Sequence, residues 1–385
     1  MSRPLPLAGV RVLDLTRLLP GPVATLHLAD LGADVIKIED LEAGDYARTL
    51  GTGQGEDSAY FRMINRNKRG LCLDLKHPEG ASVFLRLARS ADVVVESFRP
   101  GVVDKLGIGY AAVAAVNPAI AYCSISGYGQ DGPYRDRAGH DINYLGYAGV
   151  LDQIGTAGGA PAIPNFQIAD LLGGALTAAM GILAAVIDAR QSGRGRHVDV
   201  SMTDSVLAHT YFAMLRLADH GNSAPRGCDL LSGGVPCYAV YRCADGGYMA
   251  VGALEGKFWK LCCTVLERPD WVSRQWDPVL RDEMAALFAT RPRAAWDELF
   301  VAVDCCVTPV LTPEEALLDV QAEARGMSFV ADGVRQFAPP LRMSEMPFDT
   351  VRCAPRQGEH SAEILAAAGC SSAEIAAWQA GGAIR

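Results

Sequence analysis

His140 stands in the stretch Ala138-Gly139-His140-Asp141-Ile142-Asn143-Tyr144. Thirty residues on, after Asn165-Phe166-Gln167-Ile168-Ala169, Asp170 opens a Gly/Ala-rich segment that reads as a helix. An imidazole and a carboxylate, each set where irregular backbone passes into helix, make an acid/base pair able to work on opposite faces of one carbon. Abstraction of a proton next to a carbonyl asks for such a pair, together with donors that hold the enolate oxygen. Asp170 reads as an N-cap, and the amides of the helix it opens read as those donors.

The surrounding elements must hold the pair in place. Short apolar runs at Val10–Leu15, Asp34–Ile38, Leu71–Leu75, Val93–Ser97, Ile120–Ile125 and Val198–Met202 alternate with helical patterns such as Val23–Asp30 and Glu79–Ser90. That alternation predicts an α/β fold: an open, mostly parallel, Rossmann-like sheet covered on both faces. Gly21-Pro22 follows the first strand where a dinucleotide-binding chain would carry Gly-x-Gly-x-x-Gly, so a dinucleotide role has no support beyond fold analogy. Residues 149–165 read as a long loop leading to Asp170, and Asp204–His220 as a helical connector. Ala244-Asp245-Gly246-Gly247 between Cys237–Arg242 and Tyr248–Ala253 marks a hairpin in a smaller α+β domain. Helical stretches follow at Gly256–Glu267 and Asp282–Leu287, with a last helix near Ala362–Ala367. The expected organisation is a large domain over 1–205, a linker helix region over 206–225, a small domain over 226–322, and a return to the large domain over 323–385.

Half of the 385 residues are hydrophobic, ample for a large core, and the length suits about two domains. The net charge of −9 argues against nucleic acid or an anionic membrane as a partner, so a polyanionic ligand would need a local basic pocket. Eleven cysteines include the adjacent pairs Cys262-Cys263 and Cys305-Cys306, without C-x-x-C or Cys/His metal spacing. They read as buried, reduced thiols of a cytoplasmic protein, with no metal site. The N-terminus lacks an apolar run of signal-peptide length. The longest hydrophobic segment, Leu171–Ile187, is rich in Gly and Ala and reads as a helix packed closely on a sheet rather than one crossing a membrane.

Several segments, taken in order, resemble the family III CoA-transferases of the CaiB/BaiF type, and within them the alpha-methylacyl-CoA racemase branch. They are Leu15-Thr16-Arg17-Leu18-Leu19-Pro20-Gly21-Pro22, Leu31 through Glu39, Asn65-Arg66-Asn67-Lys68-Arg69, Leu73-Asp74-Leu75-Lys76, Phe98-Arg99-Pro100-Gly101, Gly127 through Pro133, Val251-Gly252-Ala253-Leu254-Glu255 and Gly358-Glu359-His360-Ser361. The resemblance spans nearly the whole chain. It implies two chains threaded through each other as an interlocked homodimer, with each site built from one chain's large domain and its partner's small domain.

The resemblance also assigns roles. In the transferases the aspartate at the Asp170 position is a nucleophile that takes the acyl group as a mixed anhydride. In the racemases it is one of two acid/base groups, the other being the histidine of a Gly-His-Asp-Ile-Asn-Tyr stretch, intact here at 139–144. A small-domain glutamate, here Glu255, sets the histidine tautomer. Transferases tend to carry a glutamine where Leu19 stands and a glycine run where this chain has Ser232-Gly233-Gly234, which leans toward the racemase. For acyl-CoA, Leu75, Lys76, Ser97, Phe98, Arg99 and Lys105 would line the nucleotide site, with Leu18 and Tyr144 near the pantetheine and thioester. Arg66-Asn67-Lys68-Arg69 would add positive charge for the phosphates, or else form a solvated face. Asp40 stands where some racemases have an arginine, so another cation must serve the nucleotide. The implied reaction is racemisation of a 2-methyl-branched acyl-CoA with no cofactor, coenzyme A being part of the substrate. The alternatives are a CoA-transferase using Asp170 covalently and a catalytically silent acyl-CoA-binding protein.

Overall fold

The computed structural model describes residues 3–51, 57–348 and 350–385. Six strands, β1 (Arg11–Asp14), β2 (Asp34–Glu39), β3 (Lys68–Cys72), β4 (Val93–Glu96), β5 (Ala121–Ser126) and β6 (Arg196–Ser201), form one parallel sheet in the order β3-β2-β1-β4-β5-β6. Strands β3, β4 and β5 are buried at every position and β1 and β2 at all but their first, which is why they read as continuous apolar runs rather than alternating ones. The third strand starts three residues earlier than the Leu71–Leu75 run, because Lys68 and Arg69 enter the sheet with their charges paired.

Those pairs account for the motif Arg66-Asn67-Lys68-Arg69. Lys68 is fully buried, its Nζ 3.0 Å from Asp14 Oδ2 and bonded to Thr25 Oγ1, Asn65 Oδ1 and the Pro22 carbonyl. Arg66 forks onto both oxygens of Asp30, and Arg69 onto Asp34 with a further bond to Glu363. The cluster is neither a phosphate cradle nor a solvated face; it is internal framework. Lys37 of β2, also fully buried, pairs with Asp45 at 2.7 Å and donates to the Thr16 carbonyl.

The chain divides into two compact units: 1–148, 166–208 and 321–385 in one; 149–165 and 209–320 in the other. Residues 149–165 thus cluster with the second unit rather than with the segments that flank them in sequence. Helices of the first unit include α1 (Pro20–Asp30), α2 (Asp141–Tyr147) and α3 (Ala169–Ser192). α3 has 24 residues and is long and apolar enough to cross a membrane by length and composition. Its packing is one-sided: Ala178, Ile182, Ala185 and Val186 are buried, while Leu176, Met180 and Ile187 are exposed.

The second unit holds α4 (Tyr211–His220), α5 (Gly256–Val265) and an antiparallel sheet of β7 (Tyr238–Arg242), β8 (Tyr248–Gly252) and β9 (Val307–Pro309). One face of that sheet packs on Trp259, Met284, Phe288 and Phe300. The connector expected at Asp204–His220 is two helices, Met202–Leu207 and α4. A hairpin of β10 (Ser328–Ala331) and β11 (Val334–Phe337) was not read from sequence, although Asp332-Gly333, with φ of 53° and 68°, is a standard two-residue hairpin turn. Every cysteine is a free thiol; Cys228, Cys306 and Cys353 are exposed and the others buried, so the expectation of burial fails for those three.

Removing one partner of a buried pair leaves an uncompensated charge. Asp14→Ala is expected to cost about 3–5 kcal/mol in urea unfolding, whereas exposed Lys76→Ala should stay within about 0.5 kcal/mol of the parent.

Candidate active site

The strand order reverses between β1 and β4, and in open parallel sheets the crevice outside the carboxyl ends at such a point is where ligands bind. A cavity of about 470 Å³ lies there. The turn after β1 and the start of α1 contribute Arg17, Leu18 and Pro20, the turn after β4 Ser97, Phe98 and Arg99, and the end of β5 with the turn after it Ser126, Gly127 and Tyr128. His140, Asn143, Tyr144 and Asp170 also line it.

Buried charge shapes the first of these turns. Leu18 has φ of 65°, a left-handed conformation costly for a branched side chain. Its N–H donates to Asp45 Oδ1 at 2.9 Å, and the other oxygen of Asp45 holds Lys37. Burial opposes ionisation of Asp45, but Lys37 and the Leu18 and Ala47 amides outweigh it and hold the carboxyl below its usual range. The turn after β4 rests on Glu96, which is buried and accepts from Phe98 N at 2.8 Å. Burial, opposed by bonds from Ser124 and Phe98, pushes the Glu96 carboxyl up to about 7.

Asp141 ties the two candidate bases together. His140 is the exposed N-cap of α2, and its N–H donates to Asn143 Oδ1 at 3.0 Å. The next residue, Asp141, turns its carboxylate to the start of α3, where Oδ1 accepts from Ala169 N at 2.7 Å and Asp170 N at 3.1 Å. Asp170 is therefore not an N-cap. It lies within the first turn of α3, which opens as a wide π-helical stretch (Ala169–Leu176) of the kind often found at functional sites. The Ala169 and Asp170 amides, expected to serve an enolate oxygen, are already engaged by Asp141. Burial first, and the Asp141 charge second, push the Asp170 carboxyl up to about 7. That is a suitable value for a group that must both take and give a proton at neutral pH.

Tyr144 forms the wall between these groups. Its hydroxyl donates to the Gly139 carbonyl, and burial followed by the Asp170 charge raises its phenol. A side chain at Gly127 would come within 2.3 Å of the Tyr144 ring and one at Gly139 within 2.6 Å, so both positions need glycine for the ring to sit there.

The cavity brings together Leu18, Ser97, Phe98, Arg99, His140, Tyr144 and Asp170. Leu75, Lys76 and Lys105 belong to the same unit but do not line it: Leu75 packs on the core, and Lys76 and Lys105 are exposed. Glu255 is in the other unit, exposed, as the N-cap of α5. Sequence reasoning missed Arg17, Arg135 and Arg137 on the cavity wall, and the role of Asp141. Only Asp141 carried a signal, through its place beside His140. Asp40 pairs with Arg17 at 3.0 Å. Among the described residues no group of three or more His, Cys, Asp or Glu is arranged to hold a metal ion.

Comparison with known proteins agrees with this architecture. The family model for CoA-transferase family III matches residues 7–361. Human alpha-methylacyl-CoA racemase is 37% identical over 377 residues, covering 96% of this chain and 95% of that protein. Succinate–glutarate CoA-transferase of Agrobacterium fabrum is 33% identical, covering 95% of this chain and 96% of that one. A CaiB/BaiF family protein from Brucella suis has a crystal structure that superposes with a TM-score of 0.83 at 32% identity, over 95% of this chain and 100% of that one.

The Asp141–Asp170 geometry has a measurable consequence. Asp141→Asn keeps an oxygen for the two amides but removes a negative charge, which makes Asp170 easier to ionise. Its titration, followed by carboxyl ¹³C NMR, should move to lower pH; a repulsion of about 1 kcal/mol corresponds to about 0.7 pH unit. It should remain above the ordinary aspartate range, because burial persists.

Proposed function

The chain belongs to CoA-transferase family III, and from that premise we propose that it is an alpha-methylacyl-CoA racemase-like isomerase. It interconverts the (R) and (S) forms of 2-methylacyl-CoA thioesters by two-base 1,1-proton transfer. The observation that carries this reading is the presence of His140 and Asp170 on one cavity, joined through Asp141, with Asp170 poised near pH 7.

In the proposed cycle His140 takes the α-proton from one face and Asp170 returns a proton to the other, and the reverse direction exchanges their roles. The planar enolate between the two steps carries its charge on the thioester oxygen. One good donor to that oxygen is worth about 3 kcal/mol, and with the Ala169 and Asp170 amides taken, the donors come from elsewhere on the cavity wall. The chemistry calls for no metal or redox group from the protein, and coenzyme A arrives as part of the substrate.

We extend the proposal to assembly. α4 has no buried residue in the single chain, although Tyr211, Phe212, Met214, Leu215 and Leu217 are all exposed, and the uncovered side of α3 presents Leu176, Met180 and Ile187. Apolar surface on this scale is what a partner covers. A homodimer, interlocked as in the resemblance, would cover it and would let the partner subunit's Glu255 meet His140 and fix its tautomer. The free thiols suit a cytoplasmic setting. Neither nucleic acid nor membrane is among the proposed partners.

A second reading stays in view because a CoA-transferase relative is 33% identical across the chain: Asp170 as the nucleophile of an acyl transfer. Incubation with one acyl-CoA and no acceptor acid in deuterated water separates the two. The racemase washes deuterium into the α-position; a transferase alone does not, and a silent binder neither exchanges nor transfers. Asp170→Asn should lose roughly 10²–10⁴-fold in racemisation with CoA affinity nearly intact. His140→Ala should lose interconversion while keeping slow one-faced exchange through Asp170. Normal CoA transfer by His140→Ala would sink the racemase assignment. For the shared site, His140→Ala and Glu255→Ala chains refolded together should regain about half of wild-type activity per mixed dimer, since each mixed dimer carries one intact site. Mixed dimers that stay inactive, or a fully active monomer, would overturn the interlocked arrangement.

A further inference from the structure

Glu96 is a buried carboxyl that the proposed cycle leaves unused. It closes β4, is 2% exposed, and among the described residues no lysine or arginine pairs with it. The sheet register gives it polar neighbours instead. Ser124 of β5 is its direct partner across the parallel pair. His197 of β6 lies two positions before Asp199, the residue paired with Ser124, and so on the same face. Ser124 bonds to the Glu96 carboxyl, and its Oγ is 3.0 Å from His197 Nε2. The imidazole stacks on Tyr110 at 5.3 Å and meets Tyr122 edge-on at 5.6 Å, and His197 is exposed. One file of polar side chains thus runs from solvent, across three strands, to a carboxyl beside the cavity.

At the inner end of that file Glu96 holds a wall of the site. Its Oε2 accepts from Phe98 N at 2.8 Å, and Ser97, Phe98 and Arg99 line the cavity. Ser97 Oγ accepts from Arg17 N at 3.4 Å, which ties the turn after β4 to the turn after β1. Burial raises the Glu96 carboxyl, and Asp104 and Asp199 raise it further against the Ser124 and Phe98 bonds; Tyr122 and Cys123 are its other titratable neighbours. Burial lowers His197, against Asp199 and Asp104. With Glu96 protonated, its O–H donates to Ser124 Oγ and the serine hydroxyl donates to Nε2 of neutral His197. Transfer along the file moves the Glu96 proton to Ser124 and the serine proton to Nε2. The imidazolium so formed gives its Nδ1 proton to water, and the serine hydroxyl then donates to a carboxylate. A carboxylate makes the Phe98 bond charge-assisted, roughly twice as strong as a neutral one.

We propose that Glu96 is a positioning residue for the coenzyme A part of the substrate: as a carboxylate it fixes the Ser97-Phe98-Arg99 turn through the Phe98 amide, and Ser124 and His197 carry its proton to and from solvent. The inference rests on the acyl-CoA reading above. It gives Glu96 no contact with the thioester and no share in the α-proton transfer. Binding tightens as pH rises through the Glu96 titration, and by linkage bound coenzyme A favours release of that proton.

The test is calorimetric titration of full-length wild type and Glu96→Gln with coenzyme A, from about pH 5.5 to about pH 8.5. Glutamine copies the shape of the protonated acid and stays neutral, keeping a carbonyl for Phe98 N and an amide for Ser124. The ratio of the two dissociation constants cancels titration of the ligand phosphates and of His140. The proteins should match at the acid end and diverge roughly 10-fold at the alkaline end, wild type binding more tightly. Ser124→Ala removes a donor to the carboxylate and should delay the rise in affinity to higher pH. In the ligand-free protein, ¹⁵N NMR of His197 Nε2 should report the Glu96 titration and lose that step in Glu96→Gln. A ratio constant across the range, as a purely structural glutamate would give, or one that grows toward acid pH, overturns the positioning role and leaves the acyl-CoA reading standing. Should Glu96→Gln not fold, the absence of a delay in Ser124→Ala does the same. A His197 resonance blind to Glu96 overturns the proton path. Wild-type protein that bound no coenzyme A would overturn the positioning role and the acyl-CoA reading together.

Discussion

Two buried ion pairs hold the working end of the sheet. Lys68 reaches Asp14 and Lys37 reaches Asp45, all four side chains shut off from water. Asp14 closes the end of β1 by accepting from Thr16 N and Oγ1, and Asp45 accepts from the strained Leu18 amide. Burial alone would raise Asp14, but Lys68 and Lys37 with the two threonine hydroxyls keep it ionised. Burial brings Lys68 down to about 8, with Asp14 opposing it. Such pairs add little net stability compared with well-packed apolar groups, yet a missing partner is severely penalised. What they supply here is position: the turn after β1 cannot relax away from the cavity without stranding a charge.

That constraint also explains what could be read from the sequence. Strands β1, β2, β4 and β5 were legible because a doubly covered parallel strand is a short, nearly continuous apolar run; β6, with Arg196, His197 and Asp199 exposed, was legible only from Val198 on. The start of β3 was not, since a lysine and an arginine look like surface until their partners are known, and Asp14 lies 54 residues from Lys68. Local pattern cannot see a pairing across that distance. The same blindness made Arg66–Arg69 look available to phosphate, while three of the four arginines that do line the cavity, at 17, 135 and 137, are scattered through turns without periodicity.

His140 and Asp170 were legible as residue types in a recognisable context, but their coupling was not. An aspartate ahead of a Gly/Ala-rich helix looks like its cap. The structure gives that task to Asp141, reaching back from the previous helix. One side chain thereby spaces the two bases, occupies the amides that would otherwise face a ligand, and adds a negative charge beside Asp170.

The last of these effects bears on which chemistry the cavity favours. A carboxylate that acts as a nucleophile must be ionised when the thioester arrives, and burial beside a second carboxylate works against that. A two-base shuttle has the opposite need, because each group must be able to hold a proton in one direction and release it in the other. A carboxyl near 7 is divided between its two forms at neutral pH, so it can serve as acid and as base without a large driving force either way. The environment that Asp141 and burial create around Asp170 therefore supports the proposed two-base reading.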